Sequence, residues 1–360
     1  MKKILILVNH DVVIYNFRKE LVWALLEQGY EVYLSSPKGE RISLLQERGV
    51  NYILTTLDRH GTNVVGDMKL LRQYLAMMRK IQPDMVLTYT IKPNIYGGMA
   101  ARICRIPYLV NITGLGTALE HVGGLQKITT VLYKISMKKA KRIFFQNQEN
   151  LEFFQKKYIG NVTQYYLLPG SGVNLEEFQV LPYPDDDEIH FVFISRIMKE
   201  KGIEEYLKAA EVIKSKYSEV YFHICGFCEE AYQDRLKRLQ DQGTIIYHGM
   251  VSDVREVLKM MHCTIHPSFY PEGISNVLLE SCASGRPIIT TDRSGCREVV
   301  EDSRNGYMIP TKDAEALILA IERFLGLAWE EKRQMGLRGR EKVEKEFDRK
   351  IVVEAYLNSI

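Results

Sequence analysis

The sequence predicts an α/β chain of two doubly wound domains, each a parallel sheet covered by helices. Three observations predict it. Apolar runs of strand length alternate with helical patterns almost throughout the 360 residues. The alternation stops at a proline- and acid-rich segment and then begins again. The residues richest in chemistry follow strand runs, at the carboxyl ends where doubly wound sheets bind their ligands.

Ile4–Val8, Glu31–Ser35, Met85–Thr90, Tyr108–Ile112 and Ile143–Gln146 are apolar stretches, each followed by polar or helical sequence. Near-continuous apolar strands separated by helices indicate a parallel sheet buried on both faces. The series resumes with His190–Ser195, Val220–Cys225, Ile245–Tyr247, Thr264–Pro267 and Pro287–Thr291. Between the halves, Leu181-Pro-Tyr-Pro-Asp-Asp-Asp-Glu188 reads as a linker. The expected domains are residues 1–180 and 189–344, joined by 181–188, each long enough for its own core.

Hydrophobic residues at 46% and charged residues at 26% are ordinary globular values. A net charge of +3 is too small to argue for a nucleic-acid partner. Met1-Lys-Lys-Ile-Leu-Ile-Leu-Val8 opens like a signal peptide, but the apolar run ends at Asn9-His10-Asp11 without a small-residue cleavage site, so it reads as a first strand. No apolar run reaches membrane-spanning length. The six cysteines lack framework spacing and read as reduced core thiols. Cys225-Gly-Phe-Cys228 has no second cysteine pair or histidine cluster to complete a zinc site, and reads as a turn beside a buried thiol. The Asp185-x-Asp187 match lies in the linker as solvated charge, so no metal is expected. No Gly-x-Gly-x-x-Gly follows the first strand, which disfavours a nicotinamide oxidoreductase.

Glu272 and Glu280, in Ser268-Phe-Tyr-Pro-Glu-Gly-Ile-Ser-Asn-Val-Leu-Leu-Glu280, carry the most information. Glu272 follows the buried-strand pattern Cys263-Thr-Ile-His-Pro267 and precedes a loop that opens a helix. Glu280 lies eight positions on, roughly 12 Å along that helix. The backbone N–H groups of Gly273, Ile274, Ser275 and Asn276 are expected to point out of the helix start, where hydrogen bonding and the dipole favour a phosphate. Two carboxylates flanking an anion cradle suit a diphosphate with hydroxylated groups on both sides. A nucleotide sugar has that outline.

The Glu-x7-Glu run resembles the signature of retaining GT-B glycosyltransferases of group 1. Ile194-Ser-Arg196-Ile-Met-Lys-Glu-Lys201-Gly202 resembles that family's strand-to-helix element carrying an Arg and a Lys. Gly170-Ser-Gly172-Val-Asn174-Leu-Glu-Glu-Phe178 is similar to the segment that closes its first domain. The ordered set, covering most of the chain, carries the resemblance. It implies two Rossmann-like domains facing across a cleft, with the stretch from about 345 to 360 packing back on the first. It further implies that Arg196 and Lys201 contact the diphosphate, Glu280 the ribose hydroxyls and Glu272 the donor sugar, making Glu272, Arg196 and Lys201 the catalytic set. Gly226, Val251, Ser171 and Gly172 join Gly273, Ile274, Ser275 and Asn276 as donor-binding positions. A metal-free enzyme needs such fixed cations where the leaving phosphate gathers charge. Read structurally, Arg196 and Lys201 could pair with Glu200 or Glu204, and Glu272 could cap a helix. The sequence picks out no nucleophile, and the analogy favours a phosphate-assisted, oxocarbenium-like route.

In the first half, Thr88-Tyr-Thr-Ile-Lys-Pro-Asn-Ile-Tyr-Gly97 and Ile112-Thr-Gly-Leu-Gly116 resemble a subgroup that builds capsule, O-antigen and other lipid-linked glycans. That implies a UDP-N-acetylhexosamine or related donor and a polyprenyl-diphosphate-linked acceptor. Thr113-Gly114 stands where many relatives carry a histidine; with His10, Arg59 and Lys92 it forms the acceptor candidates. Residues 123–142 read as a helix with Leu125, Ile128, Leu132 and Ile135 at apolar spacing and Lys127, Lys134, Lys138 and Lys141 as a basic stripe. Such a helix is expected on anionic lipid; a solvated face over a core-packed stripe is the alternative. The expected protein is a retaining, metal-independent glycosyltransferase, cytoplasmic and peripheral on the inner face of the bacterial membrane. A nucleotide-sugar 2-epimerase of the same architecture and a non-catalytic subunit of glycan assembly are the rivals.

Overall fold

The computed structural model describes residues 1–57, 64–116, 119, 123–185, 187–228 and 230–360, so Arg59 lies outside the described residues. The chain divides into two compact units: Met1–Gly172 with Pro271–Gly273 and Arg349–Ile360, and Val173–Tyr270 with Ile274–Asp348.

The first unit holds seven parallel strands, β1 (Lys3–Leu7), β2 (Glu31–Ser36), β3 (Asn51–Leu54), β4 (Met85–Tyr89), β5 (Tyr108–Ile112), β6 (Arg142–Phe145) and β7 (Tyr165–Leu167), in the order β3-β2-β1-β4-β5-β6-β7. Every residue of β4 and β5 is buried, as strands with two neighbours and covered faces require. The order reverses between β1 and β4, which run in register with Leu5 opposite Val86. At such a switch point the connections leave on opposite faces and a crevice opens at the carboxyl ends. The helix Arg349–Leu357 adds Val352, Ala355 and Tyr356 to the core that also holds Ile4, Val32 and Leu87. Buried Arg349 pairs with Glu20 at 2.9 Å and donates to Gly172 O at 3.0 Å.

The second unit holds β8 (Ile189–Ile194), β9 (Val220–Cys225), β10 (Ile246–Tyr247), β11 (Cys263–His266), β12 (Ile288–Thr291) and β13 (Gly306–Ile309), all parallel, in the order β10-β9-β8-β11-β12-β13. Its switch point lies between β8 and β11. Residues from Val173 onward are fastened to this unit: Val173 N donates to Phe347 O at 2.8 Å and Trp329 Nε1 to Pro184 O at 2.7 Å. Fully buried Arg286 donates to the carbonyls of Leu258 (2.8 Å), Pro182 (2.7 Å) and Leu181 (3.2 Å). Burial pulls this guanidinium down to about 10. The contact boundary thus falls at Gly172–Val173, ahead of the proline- and acid-rich segment.

Three strands have no counterpart among the apolar runs: β3, β7 and β13. Each is a sheet edge with one open flank, so an unbroken apolar sequence is not required there.

Histidines cross the second sheet as a ladder. His190 Nδ1 lies 2.9 Å from His223 Nε2, and His223 Nδ1 lies 2.9 Å from Nε2 of His248, just beyond β10. His190 N donates at 3.1 Å to Nδ1 of His262, which precedes β11. Each ring-to-ring contact needs one bare and one protonated nitrogen, so the neutral ladder is satisfied. Burial, reinforced by His190 and His248, pulls His223 down to about 3 from an ordinary 6.5. Burial also lowers His190 and His248. A histidine with a lowered folded value takes its proton on unfolding, so its neutral form stabilises fully above the unfolded value and that stability is lost as pH falls below it. Thermal stability is therefore expected to fall from about pH 7.5 to about pH 5, with buried His223 alone costing about 1.4 kcal/mol per pH unit below its unfolded value. His223→Gln should flatten that slope; equal slopes in both proteins would contradict the assignment.

Candidate active site

In the second unit the chain leaves β8 at Ser195-Arg196 and leaves β11 at Pro267, the two sides of the switch point. A short turn, Lys199–Lys201, folds back against the β11 exit: Phe269 N donates to Glu200 O at 2.9 Å. Gly202 ends that turn at φ +80, and a Cβ there would run into Pro267 O, so only glycine fits. The turn delivers Lys201 to the ring of Tyr270, with Nζ 4.9 Å from the centroid; Arg196 Cζ stands 5.5 Å from the same ring. Lys201 is buried and Arg196 exposed. Two cations thus share one aromatic ring. Gly226, at φ +141, sits against this exit, where a Cβ would run into Ser195 O and lie 3.5 Å from Arg196 N. Its own polar groups are engaged, N–H donating to Gly249 O at 2.8 Å and carbonyl accepting from Tyr247 Oη at 2.9 Å. Gly226 therefore shapes the cation platform rather than offering a free hydrogen bond. Burial pushes the neighbouring Cys225 thiol up to about 11, which keeps it a protonated core group.

The helix after Glu272 runs Asn276–Ala283. One of the four expected cradle amides is already used, since Ser275 N donates to Gly295 O at 2.7 Å. Ser275 Oγ lies 3.2 Å from His266 Nε2, and Ile274 is core, so both contribute backbone position rather than side-chain chemistry. Asn276 Oδ1 is buried without a protein partner at the helix start. Val251 and Val277 both pack against the core cluster that holds Ile194 and Cys225. Glu280 is half-buried between buried Leu279 and Ser281.

Glu272 and Gly273 belong to the first unit. Asn147 Nδ2 donates to Glu272 O at 2.9 Å and to Gly273 O at 2.8 Å, while its Oδ1 caps the helix Gln148–Lys156 by accepting from Asn150 N at 2.9 Å. Behind it Gln146 Nε2 donates to Asn111 Oδ1 at 3.2 Å, and Asn111 Nδ2 to Tyr356 Oη at 2.7 Å. A Cβ at Gly273 would overlap Gln146 Oε1 and lie 2.7 Å from Thr113 O; one at Gly114 would lie 3.1 Å from Pro271 O. Thr113 and Gly114 therefore meet the Glu272 loop directly. Sequence reasoning missed Tyr270, Asn147, Gln146 and Asn111. The available signal was a polar pair, Gln146-Asn147, ending an apolar strand.

Other expected site residues are engaged elsewhere. His10 caps the helix Asp11–Phe17, its Nδ1 accepting from Val12 N at 3.2 Å. Lys92 Nζ is paired with Asp67 at 2.8 Å, and Tyr96 Oη donates to the same carboxylate at 2.8 Å. Ser171 is buried in the first unit, and the Gly172 carbonyl is held by Arg349. The expected helix 123–142 ends at Met137, because Arg142 already begins β6. Lys141 leaves the basic stripe and donates to Ile360 O at 3.3 Å. Among the described residues no group of three or more potential ligands could hold a metal, and no helix is long and apolar enough to cross a membrane.

The family described as glycosyl transferases group 1 matches residues 176–342, and that described as glycosyl transferase 4-like matches residues 3–147. The chain belongs to the GT-B glycosyltransferases, a 4-like domain followed by a group 1 domain. It is similar to the N,N'-diacetylbacillosaminyl-diphospho-undecaprenol alpha-1,3-N-acetylgalactosaminyltransferase of Campylobacter jejuni, at 25% identity over 362 residues, 96% of this chain and 94% of that protein. It is 24% identical over 291 residues to the UDP-Gal:alpha-D-GlcNAc-diphosphoundecaprenol alpha-1,3-galactosyltransferase of Escherichia coli, covering 76% and 74%. In fold it is similar to a glycosyltransferase from Rickettsia africae (TM-score 0.82, 17% identity, 99% and 97% covered). It is likewise similar to Anabaena HepE solved with UDP (TM-score 0.80, 15% identity, 100% and 99% covered).

Asn147→Asp keeps the cap acceptor but removes both donors to the Glu272 loop. Leaving two buried carbonyls unmade is expected to cost about 1–3 kcal/mol by chemical denaturation and to lower kcat while leaving the UDP-induced thermal shift in place. Wild-type kcat in this variant would remove Asn147 from the site.

Proposed function

We propose that the chain transfers an N-acetylhexosamine from a UDP-sugar to a polyprenyl-diphosphate-linked acceptor, with retention and without a metal, in bacterial surface-polysaccharide assembly. The carrying observation is the cation pair Arg196 and Lys201 over Tyr270 at the β8/β11 switch point. Breaking the sugar–phosphate bond leaves negative charge on the departing UDP, and fixed cations stabilise it most where water is scarce. Arg196 offers a planar fork to phosphate oxygens, and buried Lys201 a point charge. In this reading Glu280 accepts from the ribose hydroxyls and Glu272 from those of the donor sugar. The acceptor hydroxyl bonds to the anomeric carbon on the face the diphosphate leaves, and its proton passes to the leaving phosphate oxygen.

The donor and acceptor classes are supported by the Campylobacter and Escherichia relatives, whose names specify undecaprenol-diphosphate-linked sugars. A lipid-linked acceptor gives the enzyme a workplace on the cytoplasmic face of the membrane, held there peripherally.

Arg196→Ala and Lys201→Ala are each expected to lower transfer about 10²–10³-fold and to shrink the melting-temperature rise given by UDP. Glu272→Gln should lose turnover while keeping that rise. Radiolabelled transfer to a polyprenyl-diphosphate sugar and thermal shift across UDP-, GDP- and ADP-sugars check these outcomes. Selection of a GDP- or ADP-sugar, or release of an epimerised UDP-sugar without acceptor, would refute the reading.

A further inference from the structure

The helix Gly124–Met137 turns its polar side inward. Gln126, Thr129, Tyr133, Ser136 and Met137 are its buried residues, whereas Leu125 is 48%, Ile128 61%, Val131 54% and Ile135 45% exposed. At about 100° per residue the exposed aliphatic side chains fan over about 120° of the helix. Exposed Lys127, Lys134 and Lys138 form the next row.

The inward face is a built interface. Gln126 Nε2 donates to Leu119 O at 2.6 Å, and the Tyr133 ring meets Phe154 edge-on at 5.3 Å between centroids. Arg102, from the helix Gly98–Cys104, donates to Ile135 O at 2.9 Å, and the next residue, Ile103, is itself 57% exposed. The outward patch is therefore aliphatic, continuous along several turns and bordered by lysine. The cores of protein–protein interfaces are poor in lysine and rich in aromatic residues, and neither holds here. Aliphatic side chains beside a cationic row match a helix lying in the headgroup layer of an anionic bilayer.

We infer that this face of the first unit inserts into an anionic lipid surface, with Leu125, Ile128, Val131 and Ile135 among the acyl chains and Lys127, Lys134 and Lys138 at the headgroups. The apolar row is the anchor and the lysines choose the lipid. The inference rests on the proposed lipid-linked acceptor for its purpose, since a chain held flat on the bilayer meets an acceptor that cannot leave it.

Co-sedimentation of the full chain with vesicles of phosphatidylcholine, with or without phosphatidylglycerol, tests it. The wild type should pellet with the anionic vesicles. Ile128→Glu with Ile135→Glu, both at exposed positions, should weaken that binding at least about a hundredfold. Lys127→Gln, Lys134→Gln and Lys138→Gln together should weaken it about a hundredfold at low salt and abolish the preference for phosphatidylglycerol. Wild type left in the supernatant, or glutamate variants that pellet like wild type, would overturn the inference. So would sedimentation velocity showing a wild-type dimer that the glutamate variants dissolve, because a second copy would then cover the patch. The thermal shift with UDP is the separate readout of the donor assignment: its absence in the wild type sinks that reading and leaves the vesicle result standing.

Discussion

A reversal of strand order is the constraint on which the pairing of Arg196 and Lys201 over Tyr270 depends. Between β8 and β11 the strand order reverses, and at such a point the connections leave on opposite faces. Arg196 leaves one strand there and Tyr270 follows the other. What turns this topological accident into a cation platform is close backbone packing: the Glu200 carbonyl takes the Phe269 amide, and Gly202 allows the turn to press on Pro267. A side chain at Gly202 would push Lys201 away from the ring it shares with Arg196. The platform is thus specified by an absent Cβ as much as by two present charges.

The first unit holds the backbone of the Glu272 loop by another device. The Glu272 loop is gripped through its carbonyls by one amide side chain, which also caps a helix. A capping residue has little rotational freedom, because its oxygen is committed to the helix. Its nitrogen is then fixed in direction, and the loop inherits the rigidity of the helix. The Asn111 to Tyr356 hydrogen bond stiffens the strand ends behind it, and Tyr356 comes from the last helix of the chain.

How much of this was legible follows from burial. Inner strands announce themselves, because a strand covered on both faces must be apolar at nearly every position, as β4 and β5 are. The edges β3 and β7 carry exposed residues and give no such signal. Arg196 and Lys201, which meet at the Tyr270 ring, stand out in the sequence because charged residues follow a buried strand there. Asn147 does not, since an asparagine after a strand reads as an ordinary helix cap until tertiary packing shows what its other atom holds. The helix Gly124–Met137 exposes a different limit. Periodicity reveals that a helix has two faces, but not which one the fold turns inward. Here the inward face is chosen by partners remote in sequence, such as Phe154 for Tyr133.

Arg286 shows what it means for a charged group to surrender water entirely. It has no carboxylate partner among its hydrogen bonds and is surrounded by carbonyls, two of them from Leu181 and Pro182. Remove that strip of backbone and a guanidinium is stranded in the interior, a penalty of several kcal/mol. Leu181 and Pro182 are consequently bound into the interior of the second unit, and their backbone is expected to share that unit's cooperativity.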